Sequence, residues 1–350
     1  MARAKRKTLP KDFEALLEKS TLAELKAVFD GCEVDARGGY SKQTALAFDK
    51  CPDDLARWLV AQGADLSATD TWGDTPLHRR AQSRRSSIAV LLELGADVNS
   101  ASRSTGTPLH AAAVSHNATH ARLLLQHGAR VNERNRDQLT PLELALRGCG
   151  NIDIEDMVLL AKALLEAGAE KSHLMPGFVQ EIGSRFEFHR SGFNPEHVDA
   201  VSSALDELYR IFEVPPVPRR QIHDGNSPVV VKAMTWQKQH EELWNLLVPS
   251  QGPAATVQGE VIRISGRIGD EMERNGGVNW DADYNRMADA FLEHVQGGKP
   301  LSPTDLAEAA AIVAQVKRQS GDTARMAELA VRWVMQNPDP VKLPTPSYQR

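Results

Sequence analysis

The chain has 350 residues, 41% of them hydrophobic and 25% charged, which is the composition of a soluble folded protein with room for two ordinary domains. A formal charge of −5, with acids and bases balanced in both halves, excludes bulk attraction to nucleic acid. The three cysteines, Cys32, Cys51 and Cys149, form no Cys-x-x-Cys pair, which argues against a disulfide scaffold or a thiolate zinc site and fits a reducing compartment.

No apolar run of about 18 residues is present, so no membrane span is expected. The first residues lack the apolar core of a signal peptide, and the expected location is cytoplasmic. Arg3, Lys5, Arg6, Lys7 and Lys11 predict a basic flexible arm over residues 1–18, with nuclear import or anion binding as the alternative reading.

Next, Leu22, Leu25, Val28 and Phe29 lead into Gly31-Cys32-Glu33-Val34-Asp35, half of a unit that then recurs. Thr44-Ala45-Leu46-Ala47 opens a copy that closes on Gly63-Ala64-Asp65. Two copies are almost verbatim. Gly73-Asp74-Thr75-Pro76-Leu77-His78 and Gly106-Thr107-Pro108-Leu109-His110 lead to Gly95-Ala96-Asp97-Val98-Asn99 and Gly128-Ala129-Arg130-Val131-Asn132. Thr75, Thr107 and Thr140 are 32 and 33 residues apart. The fourth copy, from Thr140-Pro141-Leu142-Glu143 to Gly168-Ala169, is stretched: Gly128 to Gly168 is 40 residues. Its extra residues, around Gly148, Gly150, Asn151 and Asp153, predict a longer loop between two helices.

The threonines supply a helix N-cap oxygen, and the prolines sit at the first helical position, where no N–H is needed. Gly63, Gly95, Gly128 and Gly168 follow leucine helices, where a left-handed residue ends the helix. One such unit cannot bury its apolar face alone, but stacked neighbours can. Over residues of about 20–170 this period and these motifs resemble the ankyrin repeat. The fold class expected is all-α, an ankyrin-type helical solenoid followed by a second mainly helical domain. Phe178, Val179, Ile182 and Phe186, then Val198, Val201, Leu205, Leu208 and Ile211, extend the stack as atypical end helices over residues 19–213.

Val214-Pro215-Pro216-Val217-Pro218 reads as a stiff linker. A helical domain is expected over 219–337, with helices near 234–248, 255–275, 281–296, 303–319 and 322–336, a short extended piece at Val229-Val230-Val231, and an extended tail over 338–350.

The resemblance implies that the hairpin tips and the inner-helix face contact a partner. Those positions carry Trp72, Asp74, Arg79, Arg80, Arg84, Arg85, Arg103, Arg134 and Arg136. Four arginines between Arg79 and Arg85, on what reads as one inner helix, predict a patch for an acidic protein surface, since guanidinium forks pair with carboxylates. Arg80 stands where the family favours alanine. Trp72 reads either as an anchor at a tip or as packed on the next repeat. In the family, the histidine matched by His78 and His110 is structural. His116 and His120, four apart, are read as surface histidines rather than zinc ligands.

In the second half, Glu260, Arg263, Arg267 and Glu271 share one helical stripe beside Val257, Val261, Ile264 and Ile268. The stripe reads as a salt-bridged wet face, or else as a cleft for acid–base work. Trp236, His240, Trp244 and Leu247 are expected to build core. Asn275-Gly276 and Asp281 read as helix caps, with Trp280 as a staple.

The expected function is a protein-interaction module, an adaptor or regulator gripping an acidic partner, with no cofactor and no metal. The alternative is an ankyrin-targeted enzyme or toxin-like effector acting through the Glu/Arg stripe. A third, weaker reading is a regulator that binds nucleic acid through the N-terminal arm and Arg79–Arg85. None of these readings names the partner or the oligomeric state.

Overall fold

The computed structural model describes residues 4–350, so Arg3 of the basic arm lies outside the described residues. The chain divides into two compact units. One holds the residues up to Phe186 together with Asn194–Val217, and the other holds Glu187–Phe193 with Pro218–Arg350.

The first unit opens differently from expectation. Residues 6–19 are not a free arm. Strand β1 (Arg6–Thr8) runs parallel to β2 (Cys32–Gly38), which pairs antiparallel with β3 (Gln43–Thr44). Helix α1 (Phe13–Lys19) follows β1 and buries Phe13 and Leu17, because Phe13 packs edge-on against Phe29 and Phe48. Arg6 and Lys7 of β1 stay exposed while the strand's backbone pairs with β2 along one edge. Helix α2 (Leu22–Gly31) starts at a capping box in which the Thr21 amide donates to Glu24 at 2.8 Å.

The repeats then stack as their periodicity demands. The inner row is a short 3-10 turn (Ala45–Ala47), α4 (Pro76–Gln82), α6 (Pro108–Val114) and α8 (Pro141–Gly148). The outer row is α3 (Asp53–Ala61), α5 (Ala89–Glu93), α7 (Ala118–Gln126) and α9 (Ile154–Glu166). Within the inner row α4 packs on α6 and α6 on α8; α7 packs on α9. The four closing glycines have φ of +93°, +92°, +88° and +92°, a left-handed conformation that a side chain would strain.

Two details depart from the repeat pattern. The stretched fourth copy does not spend its extra residues on a loop alone. A 3-10 turn (Asn151–Asp153) leads straight into α9, which has 13 residues against 9 in α7. Conversely, α4 stops at Gln82 and α5 has only five residues, so Arg84 and Arg85 lie in the bend between helices, not on the inner helix. After the repeats, α10 (Met175–His189) and α11 (Pro195–Phe212) follow, and α11 buries Val201, Leu205, Leu208 and Phe212 against the stack through α9.

The second unit has five helices: α12 (Trp236–Leu247), α13 (Val257–Glu273), α14 (Ala282–Gln296), α15 (Pro303–Val316) and α16 (Thr323–Gln336). Helix α13 is central, packed by α12, α14 and α16, so nearly its whole first half is buried. Val229–Val231 forms no strand; the Val229 amide donates to the Pro338 carbonyl at 2.7 Å. The tail beyond Pro338 is extended and docked. The Val257 amide donates to Val341, the Leu343 amide donates to Ala255, and Gln258 bonds the carbonyls of Asn337 and Asp339 and the amide of Val341. Among the described residues no helix is long and apolar enough to cross a membrane.

Candidate functional site

The hairpin tips are built from turn chemistry. Asp70 accepts the amides of Trp72 and Asp74, which fixes the tip and turns the Trp72 side chain outward. Consecutive tips are tied by the Thr71 amide and hydroxyl, which donate to the Ser41 carbonyl at 2.9 and 3.0 Å. Deeper in, His78 ties its unit to the next. Its Nδ1 accepts the Thr75 amide at 3.3 Å and its Nε2 lies 2.9 Å from the Gly106 carbonyl. A carbonyl only accepts, so the ring proton sits on Nε2. His110 does the same with Thr107 and Leu139. Burial holds both rings below the usual histidine range. Gly106, at φ +101°, lies so close to His110 that a Cβ there would meet its ring at 2.9 Å.

His116 and His120 are not surface groups. Both are buried, and their ring nitrogens meet the carbonyls of Ala145, Ala81 and Ser86. They join neighbouring units, and no set of three candidate metal ligands exists among the described residues.

Of the expected arginine patch, Arg80 is buried inside the stack, while Arg79, Arg84 and Arg134 are paired yet remain partly exposed. Arg80 is 1% exposed; its guanidinium donates to the carbonyls of Cys51 at 3.0 Å and Ser87 at 3.2 Å, tying the bend after α4 to the previous unit. It offers no surface to a partner. Arg79 lies 3.7 Å from Asp70 and 4.0 Å from Asp74, whose carboxylate also accepts the Ser102 hydroxyl. Arg84 pairs with Asp153 at 2.8 Å and Asp156 at 3.2 Å, and donates to the Ser115 carbonyl. Arg134 is 3.4 Å from Glu143. Arg85, Arg103 and Arg136 are exposed, and their guanidinium groups have no hydrogen bond or ion pair among the described residues. The longer α9 explains part of this, since Asp153 and Asp156 come with its added turn.

Two large aromatics are also open at the tips. Trp72 is 54% exposed and Tyr40, on the β2–β3 turn one repeat upstream, is 95% exposed. Both line one groove of about 530 Å³ with Asp49, Arg79, Gln82 and Ser83. Sequence reasoning missed Tyr40. The signal was there: Gly39-Tyr40-Ser41-Lys42 precedes Thr44 at a tip position, but that copy lacks the proline and histidine that make the motif conspicuous.

In the second unit the Glu/Arg stripe is neither a wet face nor one cleft. Glu260 and Arg263 are 0% and 1% exposed and paired at 2.6 Å. The carboxylate also accepts the Ala254 amide and the Tyr348 hydroxyl, each at 2.8 Å, while Arg263 reaches the Arg350 carbonyl. Burial and the Glu260 carboxylate push the Tyr348 phenol up. Glu271 is buried; burial raises its carboxyl, but bonds from Asn275 and Asn279 outweigh that and hold it below the usual range. Arg267 is only half-buried. The stripe was misread because α13 is covered by other helices on three sides and by the tail on a fourth. Likewise Leu243, with Leu247, is the α12 residue that reaches the core, while Trp244 stays partly open. The caps behave as expected: Asp281 accepts the amides of Asp283 and Tyr284, and Trp280 stacks on Tyr284 at 5.0 Å.

Residues 42–135 and 90–173 match the family profile described as ankyrin repeats in three copies. The chain is 41% identical over 103 residues to the Neurogenic locus Notch protein of Drosophila melanogaster, covering 29% of this chain and 4% of that protein. It is 29% identical over 186 residues to mouse NF-kappa-B inhibitor zeta, covering 50% and 22%. It is 37% identical over 123 residues to mouse Ankyrin repeat and SOCS box protein 16, covering 33% and 27%. The chain thus spans about a quarter or less of these relatives' own length. Stacked helix pairs, a threonine–histidine cap in two successive units, and this match together make residues 42–173 a run of ankyrin repeats.

Proposed function

We propose that the first unit is a protein-binding stack, and that its partner seats on the hairpin tips around Tyr40 and Trp72. The observation that carries this reading is the pair of exposed aromatics on neighbouring tips, lining one groove. Large aromatics left open on a rigid scaffold are the side chains that most often anchor an interface. The tips are preorganised by their own hydrogen bonds, so little ordering entropy opposes docking. The unpaired cations Arg85, Arg103 and Arg136 favour acidic groups at the rim, where they speed encounter more than they tighten the complex. The chain's role is then that of an adaptor or regulator. Its setting is a reducing compartment: all three thiols are free and buried, and burial pushes Cys51 up to about 11 and Cys149 up to about 12.

The test is quantitative affinity capture with the full chain, comparing wild type with Tyr40→Ala/Trp72→Ala and with Arg103→Glu/Arg136→Glu. A partner retained by the wild type should be lost from the aromatic variant, and its association should slow in the arginine variant. Equal retention by all three baits rejects the tips as the docking surface.

A further inference from the structure

The second unit contains a cavity that the stack's role leaves unused. It measures about 530 Å³ and is lined by Trp244 of α12, by Gly266, Arg267 and Asp270 of α13, and by Phe188 and Ser250. One wall is flat and stiff. The Phe188 and Trp244 rings stack at 6.2 Å with 16° between their planes. Arg220 lies over Phe188 at 4.2 Å and donates to the carbonyls of Phe188, Trp244 and Asn245, locking the aromatic pair to the end of α12. Trp244 lies so close to the α13 backbone that a Cβ on Gly266 would meet the ring at 2.3 Å. Only glycine lets the indole lie down there.

The charge in this cavity is unbalanced. Asp270 is engaged by Arg274 at 3.0 Å. Arg267, half-buried at the wall, makes no hydrogen bond and no ion pair among the described residues. Every other arginine of the second unit's helices has a carboxylate: Arg263 has Glu260, Arg274 has Asp270, Arg286 has Asp283, Arg325 has Glu308 and Arg332 has Asp305. A guanidinium partly withdrawn from water without a counter-charge is costly until an anion arrives, and its planar fork matches a carboxylate or phosphate. The volume is in the range of small-ligand sites, which join an apolar wall to a few polar groups.

We infer that this cavity binds a small planar acid: an aryl or heteroaromatic ring carrying one carboxylate or one phosphate. The ring lies against Trp244, the acid group pairs with Arg267, and the Ser250 hydroxyl is the second donor at hand. This site is independent of the hairpin tips.

Isothermal titration of the full chain with 2-naphthoate and with adenosine monophosphate, each against its uncharged counterpart 2-naphthamide or adenosine, tests the inference and separates carboxylate from phosphate. At least one acid should bind one-to-one, about 10-fold or more tighter than its neutral counterpart, the gain expected of a charge-assisted pair. Arg267→Gln should erase that preference while keeping the wild-type melting curve, since no bond within the protein is lost. No binding of either acid at millimolar concentration overturns the assignment. So does equal binding of the neutral compounds, or an Arg267→Gln variant that binds like wild type.

Discussion

Glu260→Gln is the sharpest test of the second unit. The substitution keeps the shape of a side chain that accepts the Ala254 amide, two guanidinium N–H groups of Arg263 and the Tyr348 hydroxyl. It removes the charge and turns one acceptor into a donor that faces other donors. Arg263, 1% exposed, keeps the main-chain oxygen of Arg350 as an acceptor but loses its counter-charge. Breaking a buried pair from one side costs about 3–5 kcal/mol, because the surviving charge stays desolvated. Removing both charges costs much less, so Glu260→Gln/Arg263→Met should be less damaging than the two single changes summed, by about 2 kcal/mol or more. Urea unfolding of the full chain gives the energies. Hydrogen exchange locates them: the Val341 and Leu343 amides, bonded to Gln258 and Ala255, should lose protection before the ankyrin helices do. A loss below about 1 kcal/mol with unchanged tail exchange would refute the view that this pair holds the tail down.

Acid should weaken the protein before carboxylates protonate. His78, His110, His240 and His294 are all held below the usual histidine value by burial, so the unfolded chain binds protons that the native one refuses. Stability is then complete above about pH 6.5 and falls as pH drops below it, by up to about 1.4 kcal/mol per pH unit for each ring. Urea midpoints that stay flat from pH 8 to pH 5.5 contradict this. Arg80→Ala restores the residue that the repeat pattern favours, yet it should cost more than about 2 kcal/mol, since two carbonyls lose a charged donor and a void opens. Faster proteolysis between Ser83 and Ile88 is its expected signature, and a variant as resistant as wild type counts against the role given to Arg80.

The repeats were legible in the sequence because each device is local. A threonine cap, a proline at the first helical position and a glycine at the end act within a few residues, so spacing alone reports them. The same holds for the helices of the second unit, whose caps at Asp281, Ser302 and Asp322 are set by neighbours two or three residues away. What failed was non-local. Arg80 reads as surface charge until Cys51 and Ser87 are seen to bracket it. Arg84 reads as free until the fourth repeat lengthens and brings Asp153 and Asp156 beside it. Glu260 and Arg263 read as a wet stripe because the residues that seal them, Tyr348 and Arg350, are nearly ninety positions away. For the same reason Arg267, one turn further along α13, differs from its neighbours only in what does not reach it.

The docked tail has a consequence for synthesis. Each ankyrin unit closes on contacts made about thirty residues earlier, so the stack is able to grow as it leaves the ribosome. The second unit has no such option. Its central helix emerges with Glu260 and Arg263 already in place, but their enclosure waits for the stretch from Val341 to Tyr348, after α14, α15 and α16 have been made. Until that stretch arrives, the newborn helix bundle exposes a charged seam and an unpaired backbone edge at Ala255–Val257, the state in which a holding chaperone or a protease would meet it.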